Sequence, residues 1–396
     1  MEKETKKGLL KAADIYANRA QRAKELKAEG KKIMGYFCIY PVLEIMTAFD
    51  IMPFRILGDM NETITMADSC LPTIVCPFIR SAMDLGLKKR YDFFDGIVMS
   101  HSCEVGEKAA HIWRTYMEPK YFHFLDVPHT TSHPALMQFS NQLWEFQKSL
   151  EEFTGENIPE DKLNEAIVLC NHQRRLVQNI YELRKLDPPL LSGSDIIRIM
   201  VAIMSLPVAE GNQLLKEVID DIQQLEKKTP AKTPHRLLVW GSILDNIALV
   251  DMIEDIGANV VMDDNCVGSR AYFPMVNTNA SPLEALSTRY LKEIKCPRTF
   301  PRSDLFSVKK DHLEDLELRF SYIKDYIENW NVTGVVLQSI RYCDIHGYDT
   351  PGLIDYLDHL GVPNIYVEHD YSEIAMAQLR TRIQAFLELG KHSQKS

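Results

Sequence analysis

Eight cysteines carry most of the reactive chemistry in this chain. Three of them (Cys70, Cys76 and Cys103) fall within Ala67–Glu107, ADSCLPTIVCPFIRSAMDLGLKKRYDFFDGIVMSHSCEVGE. Cys76 opens an amphipathic helical pattern with Pro77 beside it, and a thiolate is stabilised at the positive end of a helix. Cys103 follows the apolar run Gly96-Ile97-Val98-Met99, where a strand would give way to a polar loop. Cys343 stands in the same relation to Gly334–Gln338 and, like Cys103, precedes an acid. The spacings match no local metal motif, and there is no Cys-x-x-Cys. Taken singly, each thiol is more often a small buried hydrophobe than a ligand. As a set, Cys76, Cys103 and Cys343 map to helix starts or strand ends on one side of their expected sheets. Three soft donors converging from two halves of a chain suit zinc or an iron–sulfur centre with one open position. Cys38, ending the first apolar run, and Cys70 rank second. Cys170 lies in a helical apolar stripe and reads as core, while Cys266 and Cys296 stay open with core the plainer reading.

Groups that could move a proton beside such a site are His101, Glu44 and His346, all at expected strand ends or helix starts; the alternative for each is a surface or supporting role. The chain has no Gly-x-Ser-x-Gly elbow, no Walker loop and no Gly-x-Gly-x-x-Gly fingerprint, which argues against nucleotide hydrolysis and pyridine-nucleotide chemistry.

These residues need a scaffold to bring them together. Over 396 residues, 45% are hydrophobic and 25% charged, enough for more than one core. A net charge of -10 argues against nucleic acid as a partner. No apolar run approaches the roughly 20 residues a membrane span needs. The charged leader has no apolar core of a signal peptide, so a cytoplasmic location and reduced thiols are expected. Residues 1–30 read as an exposed amphipathic helix. Residues 31–135 alternate strands (Ile33–Tyr40, Pro53–Leu57, Asp95–Ser100, Tyr121–Val127) with helices, which predicts a doubly wound parallel sheet. Residues 136–232 carry only helical periods, and Lys227–Pro234 reads as a linker. Residues 233–396 return to strands at Arg236–Trp240, Ala258–Met262, Gly334–Gln338 and Asn364–Glu368, with a helix expected over Pro351–Leu360. DGIVMSHSCE and TGVVLQSIRYCD repeat one another weakly, so equivalent thiols would face each other across the cleft where open α/β sheets bind ligands.

The ordered series GYFCIYPVLEI, ADSCLPTIVCPFIRS, DGIVMSHSCE, LLSGSD, DDNCVGSR, RYCD and TRIQAF, over roughly residues 30 to 390, resembles the smaller iron–sulfur subunit of the benzoyl-CoA reductase and 2-hydroxyacyl-CoA dehydratase family. The resemblance implies two flavodoxin-like domains and a 4Fe–4S cluster held by Cys76 (in CPFIR), Cys103 (in SHSCE) and Cys343 (in RYCD). It further implies an acyl-CoA substrate, a homologous larger iron–sulfur subunit, an ATP-hydrolysing activator with its own 4Fe–4S cluster, and a low-potential donor such as ferredoxin. ATP would then be used only through the activator. The reaction it suggests is ATP-driven, dearomatising reduction of benzoyl-CoA. The alternatives are the β subunit of a 2-hydroxyacyl-CoA dehydratase, a double-cubane cluster reductase using six cysteines as a homodimer, and a non-catalytic metal-binding scaffold. Glu104 departs from the acid usual after the second cysteine, Asp, by one methylene.

Overall fold

The computed structural model describes residues 6–225, 235–301 and 311–393, so the expected linker at 227–234 lies outside the described residues. The first half builds a four-stranded parallel sheet from β1 (Ile33–Tyr36), β2 (Met52–Arg55), β3 (Gly96–Ser100) and β4 (Phe122–Leu125), in the order β2-β1-β3-β4. The second half builds another from β5 (Arg236–Gly241), β6 (Asn259–Asp264), β7 (Gly334–Ile340) and β8 (Asn364–His369), in the order β6-β5-β7-β8. The two orders are the same, and β3 and β7 hold the same place in their sheets. β1, β3, β5 and β7 are buried along their whole length, as strands covered on both faces must be. Pro53 sits within β2, an edge strand, where a missing N–H disturbs no ladder.

The leader is not one exposed helix. α1 (Lys7–Ala17) and α2 (Ala20–Ala28) break apart, and α1 packs on α8 (Gly193–Ile203) and α9 (Val208–Leu225). Small residues make the approach possible: a side chain at Gly8 would come within 2.5 Å of the Glu217 backbone, and Ala12 is fully buried. Leu9 N–H donates to Asp221 at 2.9 Å, and Lys11 pairs with Glu217 at 3.1 Å.

The remaining first-half helices are α3 (Leu43–Ala48), α4 (Pro77–Leu87) and α5 (Glu104–Met117), with α6 (His133–Thr154) and α7 (Glu160–Leu183) opening the helical segment that α8 and α9 complete. In the second half come α10 (Ala248–Asp255), α11 (Ser269–Tyr272), α12 (Pro282–Ser287) running into a π-helical turn at Thr288–Glu293, α13 (His312–Asn329), α14 (Asp344–His359) and α15 (Glu373–Ser393). α14 starts seven residues before the Pro351 at which the sequence suggests a start. Proline inside a helix leaves the carbonyl four residues earlier without its bond; here that is exposed Gly347, which water can satisfy.

Candidate functional site

Cys76, Cys103 and Cys343 are the N-caps of α4, α5 and α14. Each sulfur therefore meets the free N–H groups of a first helical turn. The Cys103 sulfur accepts from Gly106 N–H at 3.2 Å, while Cys76 faces the N–H groups of Phe78 and Ile79. The chain is bent sharply at two of the approaches to the site. Tyr342, before Cys343, has φ 64°, and Cys38, just past β1, has φ 71°, a left-handed conformation that side chains adopt only when the surroundings enforce it.

All three thiols line one cavity of about 110 Å³, and Cys38, Cys266 and Cys296 line it too. The last two are the ones that the sequence leaves open between core and site. Cys266 lies in the turn after β6, whose pairing continues to Asp264, two residues beyond the apolar run, so the strand brings the thiol nearer the cavity than the run suggests. Cys296 has only Pro297 as a signal. Cys70 does not line the cavity, its sulfur lying 3.5 Å from the Ala67 carbonyl, and Cys170 is buried elsewhere in the core.

The walls between the sulfurs are apolar, from Phe37, Ile39, Phe78, Ile79, Ile243 and Ile340. Burial pushes the thiols up, Cys76 and Cys266 to about 11 and Cys103 to about 12. Cys343 is raised by burial and then by Cys76 and Cys103; beyond burial, Cys38 and Cys296 raise Cys266. Cys38 also raises Cys103, so the charges that would form on the six sulfurs oppose one another across the whole cavity. Loading such a site requires that thiol protons leave, so the group held must supply compensating positive charge.

As spaced here, the sulfurs do not close a single tetrahedral site. Zinc–sulfur bonds of about 2.3 Å put sulfurs about 3.8 Å apart, whereas no three of these sulfurs lie within 4.8 Å of one another. Sulfurs arranged around a hollow suit a polynuclear soft centre, and a dry wall with N–H donors at sulfur is what an iron–sulfur cluster needs.

His346 is buried and touches the site directly. Arg270 is held by Asp264 through Nε–Oδ1 and Nη2–Oδ2, both 3.0 Å, and its Nη1 donates to His346 Nε2 at 3.2 Å. That fixes the tautomer: the ring proton sits on Nδ1 and points at the Cys343 sulfur, 3.3 Å away. Burial and then Arg270 hold His346 well below the ordinary histidine range, so it stays neutral. His101 lies just outside the cavity, next to Ser102 in its wall, with Nδ1 3.2 Å from Asp126 and Nε2 3.6 Å from Glu104. Among the described residues, His101, Glu104 and His129 form the one compact set of possible metal donors, half-buried at His101 and exposed at the other two. Glu44 is elsewhere. It is completely buried, pairs with Arg174 and accepts from the Tyr290 hydroxyl at 2.8 Å.

Two like-ordered parallel sheets, with the helix starts and loops beyond them, bring six thiols to one apolar hollow and define a bilobal α/β protein with a cluster of soft donors between its halves. The chain belongs to the family described as 2-hydroxyglutaryl-CoA dehydratase, D-component, which matches residues 38–389. It is similar to a candidate dehydratase subunit of Escherichia coli (strain K12), YjiM, at 28% identity over 92% of this chain and 93% of that one. It is similar to one of the subunits of the benzoyl-CoA reductase of Thauera aromatica, at 28% over 87% and 86%. The (R)-phenyllactyl-CoA dehydratase beta subunit of Clostridium sporogenes matches at 22% over 92% and 93%. No helix among the described residues is long and apolar enough to cross a membrane.

Proposed function

We propose that this chain holds an iron–sulfur centre in its thiol-lined cavity and is the electron-delivering subunit of a low-potential, ATP-driven acyl-CoA reductase, with an aromatic acyl-CoA such as benzoyl-CoA as substrate. The observation that carries the reading is the convergence of cysteines from both halves on one apolar hollow. Cys76, Cys103 and Cys343 are the ligands for a 4Fe–4S cluster, each at a helix N-terminus. When bound, the cluster supplies single electrons at low potential. The chain's own residues do the rest. Phe37, Phe78 and Ile340 keep water from the sulfurs, and His346 holds a proton on Nδ1 against Cys343. Hydrogen bonds to ligand sulfur and burial are the protein's means of setting the potential. His101, oriented by Asp126 at the cavity's edge, is the group best placed to deliver a proton to substrate. Glu44, committed to Arg174, is not used.

A homologous larger subunit, an ATP-hydrolysing activator with its own cluster and a donor such as ferredoxin complete the proposed system; the names of the relatives, all subunits, support a partner. So does the open depression of about 420 Å³ beside Cys343, bordered by the exposed side chains of Ile74 and Tyr342. The dehydratase names among the relatives support water elimination from a 2-hydroxyacyl-CoA as the alternative chemistry.

One observation favours a second reading. Cys38, Cys266 and Cys296 share the cavity, so six ligands are available where one cluster needs three. That suits a double-cubane centre and reduction of small molecules by a homodimer. Anaerobic purification with iron and sulfide analysis separates the two: about four iron atoms per chain support the single cluster and about eight the double one. Replacing Cys266 by Ser lowers the iron content only in the second case, and Cys343→Ser lowers it in both. Zinc without iron sinks both. With the activator supplied, consumption of benzoyl-CoA or of a 2-hydroxyacyl-CoA decides the reaction.

A further inference from the structure

Seven arginines are buried among the described residues, and six of them have a carboxylate or a backbone carbonyl to donate to. Arg174 has Glu44, Arg270 has Asp264, and Arg184, Arg236, Arg289 and Arg298 each reach main-chain carbonyls. Arg55 is the exception. It is 1% exposed, no carboxylate among the described residues is within ion-pair range, and Nε and Nη1 have no acceptor. Its one side-chain hydrogen bond runs from Nη2 to the sulfur of Cys266, at 3.6 Å, and the guanidinium lies over the Tyr36 ring with its carbon 5.5 Å from the centroid.

The position is enforced. Arg55 ends β2, its N–H donates to the Met204 carbonyl at 3.1 Å, and its own carbonyl accepts from Arg19 at 2.6 Å. Burying a cation without an anion is strongly unfavourable. A fold that holds one rigidly against a thiol-lined cavity has a negative charge still to come.

We infer that Arg55 is the fixed counter-cation of the centre held in the thiol-lined cavity, donating to the sulfur of Cys266 and making that centre easier to reduce. This rests on the iron–sulfur reading above. Thiolate ligands leave such centres with net negative charge that grows on reduction, and a nearby cation stabilises the reduced form more than the oxidised one. Arg270 cannot do the same, because Asp264 cancels it, and the half-buried Asp344 on the cavity wall acts in the opposite sense.

The test compares wild type with R55Q and R55K. In the iron-loaded, anaerobically prepared protein, R55Q moves the midpoint potential to a more negative value in a mediated titration followed by EPR, and R55K stays near wild type. In the iron-free protein, the thermal midpoint of R55Q equals or exceeds that of wild type, because an uncompensated buried charge has gone; a merely structural arginine gives the reverse. Full iron loading of R55Q at the wild-type potential overturns this inference and leaves the cluster reading intact. Wild-type protein that takes up no iron overturns both. If neither R55Q nor R55M folds without iron, Arg55 is structural and the inference fails.

Discussion

Removing the charge from Glu44 would leave the Arg174 guanidinium buried beside Asn171 and Tyr290 with no anion. Breaking a buried ion pair from one side costs about 3–5 kcal/mol, so E44Q should lose stability on that scale in urea or thermal unfolding. Iron loading per folded chain should be unchanged, since Glu44 does not line the cavity. The acid at the start of a helix drew notice in the sequence because a first-turn carboxylate is a common place for chemistry. What the sequence could not say is that Arg174, 130 positions away, consumes it. His346 is the converse. Three residues beyond Cys343, it was legible as a neighbour of the site, but only the chain of Asp264, Arg270 and the imidazole reveals which nitrogen carries the proton and that the sulfur receives it.

The elements were more legible than the contacts between them. Apolar runs of strand length mark β1, β3, β5 and β7 because parallel strands covered on both faces have no polar side to blur the pattern; the edge strands β4 and β8 are only partly buried. Sequence and structure part where polar residues are buried in pairs. β6 ends in Asp263 and Asp264, each satisfied by Tyr181, Ser269 or Arg270, and read from sequence these acids end the strand early. At Gly241, the last residue of β5, φ is 152°, and an added Cβ would stand 1.8 Å from the Gln338 carbonyl oxygen of β7. Gly241→Ala should therefore part the central strands of the second sheet and cost at least about 3 kcal/mol. Because Ser242 and Ile340 lie beside that junction and both line the thiol cavity, the variant should also lose iron, measured against folded protein by sulfide and iron content.

At the scale of the molecule, stability should depend on pH through histidines that the fold keeps neutral. Burial holds His123 and His369 down to about 4, and for His369 the reason is visible: Nε2–H donates to Gln338 at 3.1 Å while Nδ1 accepts from Tyr371 N–H at 3.2 Å. Between the ordinary histidine value of about 6.5 and these lowered values, the unfolded chain binds protons that the native chain refuses. Stability is thus full above pH 6.5 and falls as pH drops toward 4, by up to about 1.4 kcal/mol per pH unit for each histidine. Chemical denaturation at a series of pH values should give that slope, and H369Q should reduce it. A slope of opposite sign would mean that these rings are charged in the folded protein.

The six thiols also have an order of arrival. Cys38 is among the first residues of the α/β fold to leave the ribosome, and Cys343 comes after all but one of the strands. No shorter nascent chain contains the whole donor set, and the first sheet alone presents three of its six sulfurs, Cys38, Cys76 and Cys103, with nothing across from them. Insertion of the proposed cluster would therefore wait for translation to pass β7. Until then, on that reading, half a site of thiols would have to stay reduced and unclaimed by other metals.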